Sequence, residues 1–250
     1  MQNSFEYISL FFIISGFLCG FIILIDILDD RPQKTTEMTL VWLLTGIWAS
    51  WIGLFTYFKI GRTNKINCDE DTGCMREDIV SAFSNKKNTD KNTPLEKILL
   101  STLICGAGCV PANLAAKGFS FFCPVYSGSS VPDVSWGLAY VLAVFFAAGF
   151  QYAFIDPEQK TDLPGKTLRT ALKFSFPVST AWQCGVYAYS SLIFNFYDLM
   201  IINSWSFWFM MQIAMFCGCL AACPVNGLMM KLFSKKQPDK GERPLKNYQN

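Results

Sequence analysis

Two cysteines, Cys105 and Cys109, stand four positions apart within an apolar stretch of the sequence. In a helix, residues with this spacing share one face, with roughly 5–6 Å between their Cβ atoms. Two thiolates at that separation suit a Cu(I)-type ion better than a relaxed disulfide. The same run, Cys-Gly-Ala-Gly-Cys, is also a set of small residues that lets two helices approach closely. The pair therefore predicts either a soft-metal or thiol site, or a packing contact.

A second group of sulfur-bearing residues recurs every four positions toward the carboxyl end of the chain. This stripe consists of Met211, Met215, Cys219 and Cys223. Met and Cys are ordinary core residues, so packing alone would explain it. If the stripe faces the same interior as the cysteine pair, its sulfurs would assist in holding a metal ion. The candidate metal ligands are then Cys105, Cys109, Met211, Met215 and Cys219.

Neutral polar side chains form a third group inside the apolar stretches. Its members are Gln151, Gln183, Gln212, Asn113 and the neighbouring thiol Cys184. Burying an amide in lipid without a partner costs several kcal/mol, so the amides must face one another, the interior of a bundle or a water-filled cavity. Two interpretations follow: hydrogen bonds between helices, or the lining of a cavity.

Several classes of chemistry are excluded by what the sequence lacks. The chain has no histidine, which removes zincin, Ser-His-Asp and His-ligated haem mechanisms. We expect no Asp, Glu, Lys or Arg at mid-depth of the apolar stretches. Asp26 belongs to the first stretch but lies near its end. A buried proton relay or voltage sensor is therefore disfavoured. The basic residues form no patch with interleaved aromatics, so we expect no nucleic-acid partner. No catalytic residue is identified; these absences favour a non-enzymatic role and leave an enzymatic one open.

Six apolar stretches must position all of these residues. A spanning helix needs roughly 20 apolar residues, and each stretch is about that long. The chain is 52% hydrophobic, with 16% aromatic residues and a mean hydropathy of +0.28. These observations predict an all-α polytopic membrane protein in the lipid bilayer of a plasma or bacterial inner membrane. Residues 1–233 would form one bundle of six transmembrane helices, with spans at 7–28, 38–60, 98–116, 134–155, 168–194 and 207–233.

The charges outside the spans predict an orientation. In a six-span arrangement, all but Arg31, Lys34 and Lys117 of the 21 Lys and Arg residues fall on one side. Because Lys and Arg accumulate on the cytoplasmic side, both termini are predicted to be cytoplasmic. The polar loop 61–97 and the basic tail 234–250 would lie on that same side.

Several segments carry a family resemblance when read together. They are Met-Thr-Leu-Val-Trp-Leu-Leu-Thr from Met38, Cys105 to Cys109, Phe-Gln-Tyr from Phe150, Trp-Phe-Met-Met-Gln from Trp208, and Pro-Val-Asn from Pro224. The chain resembles the uncharacterised multi-pass membrane family called domain of unknown function 4396, over about Met38 to Lys231.

The resemblance implies an architecture and a suspect motif, with no settled activity. In that family a His commonly precedes the first Cys of the motif and a Gly-Asp closes it. The corresponding residues here are Ile104, Ala112 and Asn113. If those donors formed a metal or redox centre in relatives, this chain has kept only the sulfurs.

Three functional hypotheses follow from these residues. The leading one is the binding or passage of a soft metal ion such as Cu(I), or of another small species, through a helical bundle, with copper as the candidate cofactor. The second is a membrane thiol oxidoreductase that uses Cys105 and Cys109, although no nearby cation or clean helix N-terminus is visible to lower a thiol pKa. The third is a non-catalytic subunit whose small-residue and amide faces dock a membrane-protein partner or a second copy of the chain.

Overall fold

Six long helices make up the part of the chain that the structure describes. The structure is a computed structural model and describes residues 2–29, 36–62, 94–122, 134–154, 164–196 and 204–236. The helices are α1 (Gln2–Leu28), α2 (Thr36–Thr56), α3 (Pro94–Phe122), α4 (Val134–Ala153), α5 (Pro164–Phe196) and α6 (Trp205–Lys236), and a π-helical turn, Tyr57–Gly61, extends α2. No strand occurs in these ranges, and each helix falls on one of the six predicted stretches. The all-α prediction is confirmed. Most of the polar loop, residues 63–93, and the tail after residue 236 lie outside the described residues.

By length and composition alone, five of the described helices, α1, α2, α3, α4 and α6, could cross a membrane. Helix α5 is the longest, with 33 residues, but is less apolar. Its buried face carries Ser175, Ser179 and Gln183, which pack toward neighbouring helices instead of lipid. The chain is therefore an integral membrane protein surrounded by a lipid bilayer.

Helices α3 to α6 pack as antiparallel neighbours. The Lys117 ammonium at the end of α3 donates to Ser135 at the start of α4, over 2.8 Å. Along α4 and α5, contacts run in opposite sequence order: Ser175 donates to the Ala147 carbonyl and Gln183 to the Ala139 carbonyl. The four helices therefore alternate in direction.

Two glycines allow α3 to approach its neighbours closely. A Cβ at Gly106 would lie 2.6 Å from the ring of Trp182 on α5. A Cβ at Gly108 would lie 2.4 Å from the backbone nitrogen of Ala147 on α4. Both distances are shorter than real Cβ atoms tolerate, so these positions require glycine. The packing interpretation of the Cys-Gly-Ala-Gly-Cys run is thereby supported.

Helix α2 reverses direction at Ser50. This residue has φ 50° and ψ −124°, a conformation that favours glycine and ends the helix locally. The rings of Trp42 and Tyr57 lie 5.5 Å apart, whereas fifteen residues of straight helix would separate them by about 22 Å. A Cβ at Gly53 would lie 2.5 Å from the Thr45 carbonyl oxygen. The element is therefore a helical hairpin, with residues 36–49 as the entering limb and residues 51–61 as the returning limb.

The tip of the hairpin lies halfway along α1. The Ser50 hydroxyl is 2.9 Å from the hydroxyl of Ser15, which is the middle residue of α1. The Ile47 carbonyl lies three residues before the reversal. The Gln212 side chain of α6 donates to that carbonyl over 3.2 Å. Side chains of α1 and α6 thus form hydrogen bonds with polar groups at the tip of the hairpin.

The base of the hairpin is fixed to the end of α1 by a charged cluster. Both oxygens of the Asp26 carboxylate accept hydrogen bonds from Arg62, at 2.7 and 3.2 Å, and one also accepts from the Tyr57 hydroxyl at 2.8 Å. The hydrogen bond to Asp26 raises the pKa of the Arg62 guanidinium, which lies just outside the membrane-spanning segment. This clamp holds the returning limb beside α1.

The reversal has a consequence for helix directions. Ser206 at the start of α6 donates to Glu6 at the start of α1, and the rings of Phe12 and Phe209 stack 5.0 Å apart. Helices α1 and α6 are therefore parallel, and the last residues of α6 lie at the end of the bundle opposite Gln2. The contacts of the described residues assign neither terminus to a side of the membrane, so the cytoplasmic placement of the termini stays a prediction.

Candidate functional site

The predicted cysteine pair lies in the centre of the bundle. Cys105 and Cys109 are one turn apart on α3, and each is 0% exposed. The sulfur of Cys105 is 3.5 Å from the hydroxyl of Ser179 on α5. Neither cysteine forms a disulfide. The structure thus brings together two free thiols and a hydroxyl, shielded from both lipid and water.

Three members of the sulfur stripe on α6, Met211, Met215 and Cys219, lie in the same buried core cluster as this pair. Cys219 is buried, and Cys223, one turn further along the same helix, is half-buried. Across the described ranges, no three residues among Cys, Asp and Glu stand close enough together to hold a metal ion. Met215 is buried, and Met211 lines a separate cavity of about 30 Å³. The structure brings Cys105 and Cys109 together on one turn of α3, and Met211, Met215 and Cys219 stay predicted ligands.

Two of the predicted amides connect three helices beside the thiol pair. The Asn113 side chain donates to the Gln183 carbonyl oxygen over 3.2 Å and to the backbone carbonyl of Cys109 over 2.8 Å. Gln183 in turn donates to the Ala139 carbonyl of α4 over 3.2 Å. The chain of bonds links α3, α5 and α4 and fixes the turn of α3 that carries Cys109. This is the interhelical alternative for these two residues.

The remaining predicted polar residues lie elsewhere. Gln212 supports the hairpin tip by its hydrogen bond to the Ile47 carbonyl. The side-chain nitrogen of Gln151 is buried without a hydrogen-bond partner in the described part of the chain. Cys184 is exposed on α5 and does not join the interior group. The three glutamines therefore serve three different places and do not converge on one cavity.

Sequence reasoning missed two residues next to the pair. Ser179 supplies the nearest hydroxyl, and Trp182, whose indole N–H has no hydrogen-bond partner among the described residues, covers Gly106. A signal for the first was present: Ser175, Ser179 and Gln183 recur every four residues, which predicts one polar face on α5. The indole of Trp48, from the entering limb of the hairpin, packs edge-on against Trp182 with 5.8 Å between ring centroids.

This arrangement defines a class of protein: a polytopic helical membrane protein whose interior holds a buried thiol pair and a chain of amide hydrogen bonds. The chain belongs to the family described as Domain of unknown function (DUF4396), whose model matches residues 96–235. The family resemblance is confirmed, over a shorter range than predicted. The match covers α3 to α6 with the thiol pair, while α1 and the hairpin precede it. No curated protein and no solved structure matches the chain.

Proposed function

We propose that the protein binds a soft metal ion at Cys105 and Cys109, with Cu(I) as the best candidate, and that the bundle holds or passes this ion. The observation that carries the proposal is the placement of two free thiols one helical turn apart, fully buried, with a hydroxyl 3.5 Å from one sulfur. Thiolates select Cu(I) over harder ions. Two sulfurs on one helix face match a two-coordinate ion and need no third donor.

The surrounding residues have defined roles in this proposal. Binding requires both thiols as thiolates, so two protons leave when the ion binds. The Ser179 hydroxyl can donate a hydrogen bond to the thiolate of Cys105, which lowers the cost of negative charge in the interior. Asn113 holds the backbone of the α3 turn that carries Cys109 and orients that ligand. Such supporting contacts commonly contribute roughly 10- to 100-fold to metal affinity.

The burial of the pair favours this proposal over thiol exchange. A catalytic thiol needs access to its partner and a group that stabilises the thiolate, such as a cation or a helix N-terminus. Both residues are enclosed at 0% exposure, and the polar group beside the Cys105 sulfur is the neutral hydroxyl of Ser179. A small ion can reach such a place through modest helix movements, whereas a partner disulfide would need the bundle to open.

Anaerobic Cu(I) titration of the purified protein against a chromogenic Cu(I) chelator tests the proposal. We expect the wild-type protein to retain Cu(I) and the variants Cys105→Ser and Cys109→Ser to lose it. Ser179→Ala should weaken retention by roughly 10- to 100-fold. Cys184→Ser is the matched control, because this exposed thiol lies on the same helix as Ser179 and should leave binding unchanged. Equal Cu(I) retention in the double Cys105/Cys109 variant, or no retention by the wild type, would overturn the proposal.

A further inference from the structure

The helix directions sort the ends of the bundle into two groups. Contacts between α3 and α6 place Ile98 beside Asn226, while the contact of Glu6 with Ser206 lies at the other end. The first group, here called the basic end, contains the ends of α1, α4 and α6, the starts of α3 and α5, and both ends of the α2 hairpin. The second group, the opposite end, contains the starts of α1, α4 and α6 and the ends of α3 and α5.

Positive charge is concentrated at the basic end. Six cationic residues there are exposed, namely Lys59, Arg62, Lys97, Arg169, Lys173 and Lys231. At the opposite end, Lys117 contacts Ser135. All other Lys and Arg of the 21 in the sequence belong to helix ends at the basic end, to segments that join two such ends, or to the tail after α6. Lys and Arg are divided more unequally between the two ends than in a six-span arrangement. The six-span arrangement puts Arg31 and Lys34 on the side with fewer cations, whereas a hairpin at α2 puts the segment that carries them at the basic end.

We infer that α2 is a re-entrant hairpin that enters the membrane from the basic end, and that the basic end rests against anionic phospholipid headgroups of one leaflet. The chain then crosses five times, through α1, α3, α4, α5 and α6. The start of α1 and the tail after α6 lie on opposite sides of the membrane. Lys and Arg concentrate on the side whose leaflet is anionic, and each cation near that surface adds to the attraction.

The surface of the hairpin shows that it is immersed in lipid. On the returning limb, Trp51, Ile52, Phe55 and Phe58 are exposed. Their spacing places them on one side of the limb. Water would oppose such a surface, whereas acyl chains match it. The reversal at Ser50 can exist at mid-depth because Ser15 and Gln212 satisfy its polar groups inside the protein.

Epitope tags at the two ends of the full chain test the number of crossings. Protease is added to sealed vesicles of known orientation, and each tag is followed by immunoblotting. Five crossings predict that one tag is cleaved and the other is protected, with the pattern reversed in inverted vesicles. Untagged protein gives a second measurement: trypsin from the side of the α1 start should spare Lys34. Two tags on one side, or cleavage at Lys34 from that side, would overturn the inference.

Native mass spectrometry of protein released from nanodiscs tests the anionic lipid. The protein is placed either in discs of phosphatidylcholine alone or in discs that also contain phosphatidylglycerol, and the number of phosphatidylglycerol molecules retained per chain is counted. We expect the variant Arg169→Gln/Lys173→Gln/Lys231→Gln to lose most of the retained phosphatidylglycerol and Lys117→Gln, at the opposite end, to keep it. Retention by the wild type should also fall as salt rises. Wild-type and folded triple-variant proteins that retain equal phosphatidylglycerol would refute the lipid contact. If the triple variant does not fold, the wild type alone decides: phosphatidylglycerol retention that does not change at high salt would refute the contact.

Discussion

Replacing Gly108 by Ala tests the close approach of α3 and α4 in the centre of the bundle. The new Cβ would lie 2.4 Å from the nitrogen and 2.6 Å from the Cα of Ala147, and ordinary contact begins at 3.4 Å. These are backbone atoms, which no side-chain rotation can move. The two helices must therefore separate locally by about 1 Å, and a gap of that size forfeits roughly a quarter to a half of each dispersion contact around it.

The expected magnitude is a balance of two terms. Overpacking of a well-packed interior costs about 1–3 kcal/mol, and the rigidity of the opposing backbone puts Gly108→Ala near the upper value. Ala returns up to about 1 kcal/mol through its better helix propensity. The net loss of about 2 kcal/mol corresponds to a fall in Tm of about 4–8 °C for a chain of this size.

A thermal scan in detergent with a maleimide that fluoresces on reaction with thiols measures this effect, because unfolding exposes the buried thiols of Cys105, Cys109 and Cys219. Gly149→Ala is the matched control, since a Cβ at that position of α4 has no atom within 4 Å. The control should keep or raise the wild-type Tm. A Gly108→Ala protein that melts together with Gly149→Ala would refute the close contact between α3 and α4.

Three further outcomes are expected. Gln212→Leu removes the hydrogen bond from α6 to the Ile47 carbonyl, so the free energy of unfolding should fall by about 0.5–1.5 kcal/mol and the Tm in the same thermal assay should fall with it; an unchanged Tm would contradict the support assigned to Gln212. Ser50→Val places a β-branched residue at φ 50° and should sharply lower the yield of monodisperse protein on size exclusion, whereas Ser50→Gly should stay near wild type; equal yields would argue against the reversal. Under native conditions a lipid-soluble maleimide should modify Cys184 rapidly and Cys105 only after denaturation, as read by peptide mass spectrometry; rapid modification of Cys105 would show that the pair is not enclosed.

The sequence predicted the helices well because their apolar length is a local property. It did not predict the reversal at Ser50, since no Gly or Pro marks the position and the residues around it continue an apolar helix pattern. The reversal depends on contacts far away in the chain, from Ser15 and Gln212. Gly53 lets the two limbs touch, and Gly46 lets the entering limb approach Gly20 of α1, but the sequence alone does not show which neighbour either glycine meets.

The part of the candidate site that lies on a single helix could be predicted, because spacing along one helix is also a local property. The spacing of Cys105 and Cys109 within one helix decides that they share a face, and the structure places them together. Whether a residue on another helix joins them depends on the rotation and depth of that helix. Gln183 of α5 accepts a hydrogen bond from Asn113 of α3, although the spacing along α5 permitted other partners.

The half-depth hairpin also gives the protein different widths in the two leaflets. On the proposed placement, seven helical segments lie in the leaflet at the basic end and five in the other. A helix with its side chains is about 10–12 Å across, so the two limbs add roughly 200 Å² of cross-section to one leaflet only. Such a wedge displaces lipid unequally and couples the stability of the hairpin to membrane curvature. The hairpin should therefore differ in stability between curved and flat membranes of the same lipid composition.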